Sequence, residues 1–207
     1  MKKTLALGCA VFAAVVIIVL LSMGGVVLSA YNALNSGNQA VDAKWGDVQG
    51  AYQRRFDLIP NLVETVKGVA GFEKETLTGI AQARASVGQI KMDHAPGTEA
   101  DVQKFAAAQQ GLGTALSRLL MVTENYPQLR ATDSFRDLQA QIEGTENRIN
   151  VARRDYNGAV QAYNTRLGTI SGKLVNIVAG FQPKTYFKVQ AVEAEVAPKV
   201  SFTAPAK

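Results

Sequence analysis

Residues 135–181 read FRDLQAQIEGTENRINVARRDYNGAVQAYNTRLGTISGKLVNIVAGF, and this stretch carries the most regular pattern in the chain. Apolar or small side chains return at steps of three and four, at Phe135, Leu138, Ile142, Thr145, Ile149, Ala152, Tyr156, Ala159, Tyr163, Leu167, Ile170, Leu174, Ile177 and Phe181. Such a seam keeps one face of a helix against a partner. It predicts one uninterrupted helix of roughly 70 Å, at about 1.5 Å per residue, with Asp133 capping its start.

A second seam of the same period lies upstream and contains a proline. It runs through Val41, Trp45, Val48, Tyr52, Phe56, Ile59, Leu62, Val66 and Val69, then more loosely through Leu77, Ile80 and Val87. Pro60 removes one backbone donor and disfavours helical angles at Ile59, so the helix must kink or break there. Because the flanking residues are not turn formers, the sequence favours a kink.

A third helical stretch follows the loop KMDHAPGT at residues 91–98. It runs from about Glu99 to Asn125 and places Val102, Phe105, Leu112, Leu116 and Leu119 on one face. With few aromatic residues (7%) and one cysteine, the chain is suited to helices packed on helices. We therefore predict an all-α fold, in which an N-terminal transmembrane helix is followed by an antiparallel bundle of three to four long helices.

No charged residue occurs between Lys3 and Asp42, and residues 5–33 are almost entirely apolar. About 20 such residues cross a bilayer as a helix. A cleaved signal peptide is the alternative, but its apolar region is normally only about 7–15 residues long. We therefore expect a retained single-pass anchor in the bacterial inner membrane. Lys2 and Lys3 favour a cytoplasmic N-terminus and a bundle on the outer, periplasmic side.

These features divide the chain into four parts: a short flank (residues 1–4), the transmembrane helix (5–33), the bundle (34–183) and an extended C-terminal tail (184–207). The helical period stops after Pro183, and residues 186–196 partly alternate apolar with polar side chains. Such a segment is either a loose tail or an arm that pairs with a neighbouring subunit.

A search for catalytic chemistry finds no candidate. His94, the only histidine, lies in a loop, and Cys9, the only cysteine, lies in the anchor. There is no phosphate-binding glycine loop, no nucleophile with a histidine partner and no metal-ligand spacing. We expect no catalytic residue, no cofactor and no bound metal. The modest net charge of +5 is spread along the chain, and we expect no nucleic-acid partner.

Two charged clusters stand out from the helical surfaces. They comprise Arg54, Arg55, Asp57, Pro60 and Asn61 in the first, and Glu146, Asn147, Arg148, Arg153, Arg154, Tyr156 and Asn157 in the second. Arginine and asparagine on a helix seam can form a buried polar network that fixes register or subunit contacts. The alternative is a pair of solvated helix faces, and the sequence does not decide between them.

These segments also resemble the LemA family of bacterial membrane proteins. The resemblance rests on WGDVQGAYQRRFDLIPNLVETVKG (residues 45–68), ENYPQLRATDSFRDLQAQIEGTENRINVARRDYNGAVQAYN (124–164) and GFQPKTYF (180–187). It implies one membrane helix, a bundle of four long helices and therefore a true break at Pro60. It also implies no established enzymatic activity and a role in envelope or membrane organisation.

Three functions follow as hypotheses. The first is a membrane-anchored scaffold that self-associates as a homo-oligomer and organises the bilayer that holds it. The second is an anchored adaptor or receptor that presents its bundle or tail to an unidentified soluble partner. The third is an enzyme, which the absence of a catalytic constellation disfavours.

Overall fold

The computed structural model describes the backbone of residues 2–68, 73–90, 92 and 94–187, with side chains described at residue 12 and from residue 14 onward. Its elements there are six helices: α1 (Lys2–Lys67), α2 (Lys74–Gly88), α3 (Glu99–Thr123), α4 (Pro127–Arg130), α5 (Asp133–Gly168) and α6 (Ile170–Ala179). The all-α prediction is confirmed, because a long apolar N-terminal helix is followed by a helical bundle.

The bundle consists of two antiparallel helix pairs. Gly37 on α1 lies beside Tyr163 on α5, and Arg55 on α1 pairs with Glu146 on α5. Residue numbers therefore decrease along α5 as they increase along α1, so the two helices are antiparallel. Glu75 at the start of α2 pairs with Arg118 near the end of α3, and Val87 at the end of α2 lies near Phe105 in the first half of α3, so these two helices are also antiparallel. Side chains of α3 then close the core against α1, which makes a four-helix arrangement of α1, α2, α3 and α5.

The predicted seams form the core of this bundle. On α1 and α3 the buried seam residues are Val41, Trp45, Val48, Tyr52, Ile59, Leu62, Val66, Val102, Phe105, Leu112, Leu116 and Leu119. They belong to two clusters: one around Trp45 near the anchor and one around Leu62 at the far end. Val69, the last seam position predicted before α2, lies outside the described residues.

Pro60 does not break the first helix, because α1 continues through it to Lys67. The break implied by the family's four-helix description therefore falls later, between Lys67 and Lys74. Pro60 itself is exposed while Ile59 and Leu62 are buried. The carbonyl that loses its helical donor can thus be solvated, and the packing of the neighbouring apolar side chains offsets the cost of about 3 kcal/mol.

The prediction of one uninterrupted helix from Asp133 to Phe181 is wrong. The chain turns at Thr169, an extended residue (φ −68°, ψ 160°) that ends α5 and caps α6. Its hydroxyl donates to the carbonyl of Arg166 at 2.7 Å and accepts from the amide of Gly172 at 3.1 Å. This side chain therefore satisfies both helix ends, which makes a corner possible without proline.

The last seam positions consequently leave the core. Ile170, Leu174 and Ile177 are 81%, 56% and 81% exposed, whereas Gly172 and Val175 form the buried side of α6. The predicted cap at Asp133 is also wrong by one residue. Thr132 is the capping residue, and its hydroxyl accepts from the amide of Phe135 at 3.4 Å.

Helix α1 joins the apolar N-terminal part to the bundle without a linker. Large apolar side chains from Phe12 to Leu28 are exposed, and Leu34 is the first residue buried in the core. Within the described residues, α1 is the one helix long and apolar enough to cross a membrane. The same helix therefore carries both the apolar surface and one wall of the bundle.

Candidate functional site

The first predicted cluster places one arginine, Arg55, inside the bundle. Its Nη1 donates to Glu146 Oε1 at 2.8 Å, and its Nη2 donates to the backbone oxygen and to the Oε1 of Gln109 at 2.9 and 2.6 Å. The guanidinium also lies 5.1 Å from the centre of the Tyr52 ring. Arg55 thus ties α1 to both α3 and α5.

This network is asymmetric in its burial. The Arg55 side chain is 5% exposed and that of Glu146 is 44% exposed. Loss of Glu146 would leave the buried guanidinium of Arg55 without its counter-charge, whereas loss of Arg55 would leave a carboxylate that water can solvate. Arg55 is therefore the member of the pair that depends more strongly on its partner.

The second cluster contains one of two copies of a Tyr-Asn dipeptide on α5. Tyr156-Asn157 and Tyr163-Asn164 lie seven residues apart on α5, and we call these four residues the Tyr-Asn ladder. The chain after α6 returns antiparallel to α5, and residues 182–187, here called the strap, lie along the ladder. Of these four residues, only Tyr156 and Asn157 belong to the clusters predicted from the sequence.

Each asparagine of the ladder binds both backbone groups of one strap residue. Asn164 donates to the carbonyl of Lys184 at 2.8 Å and accepts from its amide at 2.9 Å. Asn157 does the same for Phe187, at 3.0 and 2.7 Å. A primary amide can donate and accept at once, as a β-strand neighbour would, and so satisfies both backbone groups.

The tyrosines add one bond each, with the same offset. Tyr163 donates its hydroxyl to the carbonyl of Gln182 at 3.0 Å and Tyr156 donates to that of Thr185 at 2.9 Å. Seven helical residues rise about 10.5 Å, and three extended residues span about 10 Å. Because the two repeat lengths match, successive Tyr-Asn pairs bind the backbone of strap residues that are three positions apart.

Burial accompanies these bonds. Burial raises the pKa of Tyr156, the carboxylate of Asp42 adds to this effect, and together they bring the pKa to about 12. The pKa of Tyr163 is raised by the same two causes. Asp42 in turn lies 3.5 Å from the Nζ of Lys184 on the strap. Both hydroxyls therefore remain protonated donors across the ordinary pH range.

The strap ends in an aromatic cluster. Phe187 is buried, and its ring lies 6.5 Å from Tyr52 and 6.2 Å from Phe105, with the guanidinium of Arg153 4.3 Å above it. Desolvation raises the pKa of Tyr52, and the charges of Arg153 and Arg55 oppose the rise. The strap is thus part of the bundle core as far as Phe187.

The remaining predicted residues lie outside these contacts. Seven are exposed on α1 and α5: Arg54, Asp57, Pro60, Asn61, Asn147, Arg148 and Arg154. The two predicted clusters therefore meet through Arg55 and Glu146 alone. The predicted clusters did not include Gln109, Tyr163, Asn164 or the strap. The two Tyr-Asn dipeptides, seven residues apart, were nevertheless visible in the sequence.

His94 and the carboxylates were the other candidates for chemistry. His94 is exposed on the loop before α3. In the parts of the chain that the structure describes, no three His, Cys, Asp or Glu side chains are grouped as metal ligands. The polar side chains described above instead bind backbone groups and hold the strap in register with α5.

A four-helix bundle continuous with an exposed apolar N-terminal helix is typical of membrane-associated helical proteins. Comparison with known families is consistent with this class. The chain belongs to the LemA family, whose family model matches residues 44–202.

Its curated relatives are distant. Magnetosome protein MamQ 2 of Paramagnetospirillum magneticum is 24% identical over 183 residues, which cover 78% of this chain. Magnetosome protein MamQ of Magnetospirillum gryphiswaldense is 22% identical over 77% of this chain. Protein LemA of Metamycoplasma hominis is 25% identical over 59% of it. The chain spans 65% of the length of the MamQ proteins and 52% of that LemA protein.

Proposed function

We propose that this LemA-family protein is a membrane-anchored, non-enzymatic helical scaffold that self-associates and organises the bacterial inner membrane. The observation that carries the proposal is the continuity of α1 from its exposed apolar part into the bundle core. A helix of this length resists bending, so the bundle would keep a fixed angle to the anchor. Neighbouring copies would then meet in one plane and one orientation.

Anchoring also favours weak lateral contacts. Confinement to a bilayer raises the effective concentration of copies, so a small interface suffices for assembly. Ser22, Gly25, Ser29 and Ala33 form a column of small side chains on α1 that lines a groove beside the start of α6. Nothing lies within 4 Å of a Cβ added at Gly25, so this groove leaves room for a helix of a second copy. Such columns let helices approach closely in lipid.

Electron microscopy of the full chain in nanodiscs and vesicles tests self-association. We expect assemblies for the native chain and smaller species for Gly25→Leu, because leucine would fill the small-residue column. Gly24→Leu is the matched control, since both glycines have nothing within 4 Å of an added Cβ. A strict monomer in membranes would overturn the scaffold.

The orientation is part of the same proposal. A membrane-impermeant maleimide should label Val151→Cys in intact spheroplasts, since Val151 is exposed on α5 and the bundle is proposed to lie outside. A Cys9→Ala background removes the native thiol. Labelling that requires lysed cells would place the bundle in the cytoplasm.

An anchored adaptor is the second candidate function, and the position of Phe187 favours it. Phe187 lies beside Tyr52, which is roughly 27 Å along α1 from Leu34 at about 1.5 Å per helical residue. The tail would then be presented away from the membrane. Deletion of residues 188–207 keeps Phe187 in the core and tests this role, because loss of partner capture with intact assembly would favour the adaptor.

The absence of catalysis is tested through the groups with residual chemistry. His94→Ala, Asp57→Asn and Glu146→Gln should leave any membrane phenotype of a deletion strain fully complemented, apart from the stability effect of Glu146. Failure of His94→Ala to complement, with normal protein levels, would support an enzyme instead.

A further inference from the structure

Helix α6 has apolar residues on two opposite sides. Gly172 and Val175 are buried, and Thr169, Ser171 and Gly172 at its start line a groove with α1. The other side, which we call the outer face, consists of Ile170, Leu174, Ile177 and Val178, which are 81%, 56%, 81% and 92% exposed. A ten-residue helix that is apolar on both sides needs a second apolar partner.

The position of α6 along α1 indicates what that partner is. The groove at its start is lined on α1 from Ser22 to Leu34, and Phe181 just after it lies 5.8 Å from Tyr31. The predicted membrane segment, residues 5–33, ends within this range. About 20 residues already cross the hydrocarbon layer, so residues 25–33 would reach the headgroup region, where α6 is docked.

The surroundings of α6 match a lipid boundary. Val26 and Tyr31 on α1 are exposed beside it, so the outer face continues an apolar surface that the anchor already presents. Lys173 is the one charged residue of α6 and is exposed. The sequence contains no acidic residue between Asp155 and Glu193. An apolar face with a basic flank and neighbouring aromatic rings is typical of helices that lie in the membrane interface.

Resting on the proposed membrane anchor, we infer that α6 is an interfacial helix that inserts its outer face into the outer leaflet of the bilayer next to α1. The membrane contact of the protein then has two parts: a spanning helix and a short helix lying beside it. Two contacts fix the rotation of the bundle about α1, which a single spanning helix leaves free.

Photocrosslinking in the full chain tests the occupant of the outer face. Benzoylphenylalanine replaces Val178 in one variant and Val151, an exposed valine on α5, in the matched control. A third variant carries it at Phe12, which is 72% exposed in the apolar part of α1. Each protein is reconstituted in vesicles of phosphatidylglycerol and phosphatidylethanolamine, irradiated and analysed by mass spectrometry.

We expect phospholipid adducts at positions 178 and 12, with at least a roughly tenfold lower yield at position 151, because only the first two sites would lie in acyl chains. Adducts between two protein chains at position 178 would overturn the inference in favour of a protein interface. A yield at 178 as low as at 151, with lipid captured at 12, would overturn it while leaving the anchor intact. Failure at position 12 would refute the proposed anchor itself.

Discussion

Removal of one asparagine from the Tyr-Asn ladder should release the strap while the helices stay folded. Asn157→Ala deletes both hydrogen bonds to Phe187, at 3.0 and 2.7 Å. At about 1 kcal/mol for each bond, the strap loses about 2 kcal/mol of protection. Since about 1.4 kcal/mol is a factor of ten in an equilibrium constant, amide exchange in residues 182–187 should accelerate roughly 30-fold.

Hydrogen exchange with mass spectrometry of the full chain in nanodiscs measures this directly, with α5 peptides as an internal reference. Asn164→Ala should have a similar effect, centred on Lys184. Asn147→Ala is the matched control, because Asn147 is exposed on the same helix and does not share the seven-residue spacing of the ladder. Unchanged exchange of the strap in both ladder variants would refute the reasoning that side-chain amides hold it, and equal acceleration in α5 would show global destabilisation instead.

Three further predictions concern the rest of the bundle. Arg55→Met should lower the free energy of unfolding by about 2–4 kcal/mol, because the backbone and side-chain oxygens of Gln109 lose their buried donor. The exposed Arg54→Met should change it by less than about 0.5 kcal/mol, and equal effects of the two variants in circular dichroism melts would contradict this. Gly172→Ala should lower the melting temperature, since an added Cβ would overlap the preceding turn, whereas Gly168→Ala meets nothing within 4 Å and should be close to neutral; similar melting temperatures would argue against the tight corner. Burial raises the pKa of Tyr156 from 10.0 to about 12. The stabilising contribution of the protonated tyrosine is therefore present below pH 10.0 and is lost as the pH rises through about 12. If the stability curves of the native protein and of Tyr156→Phe stay parallel over that pH range, this prediction is wrong.

The helices of the bundle could be predicted because periodicity is a local signal. The seams of α1, α3 and α5 are buried as their spacing indicates, and the apolar stretch at the N-terminus lies on the surface of α1. The corner at Thr169 could not be predicted, because the seam continues through it at steps of three and four. The turn depends on a capping threonine, on Gly172, which must lack a Cβ, and on packing against α1.

The candidate site was predictable in residue type more than in pairing. Arg55 and Glu146 were both singled out, but 91 residues separate them, and only the antiparallel packing of α1 on α5 brings them to 2.8 Å. Gln109 is uncharged, so the charge pattern did not include it in either predicted cluster. The strap was missed for a different reason: its backbone is what the ladder binds, and a backbone interaction leaves no pattern in the strap's own side chains.

Two residues of the second predicted cluster, Tyr156 and Asn157, hold the strap in one register along α5. Gly180, with φ of 68°, ends α6 and directs the chain back towards α5, where the ladder holds it at two points. Helix α6 is therefore fixed at its start by the corner at Thr169 and at its end by the strap. Because α6 cannot rotate freely between two fixed ends, the apolar outer face keeps one direction relative to α1. A ladder that binds backbone thus determines how the protein meets the membrane, and a loss of ladder contacts should disturb lipid contact at Val178 before it unfolds any helix.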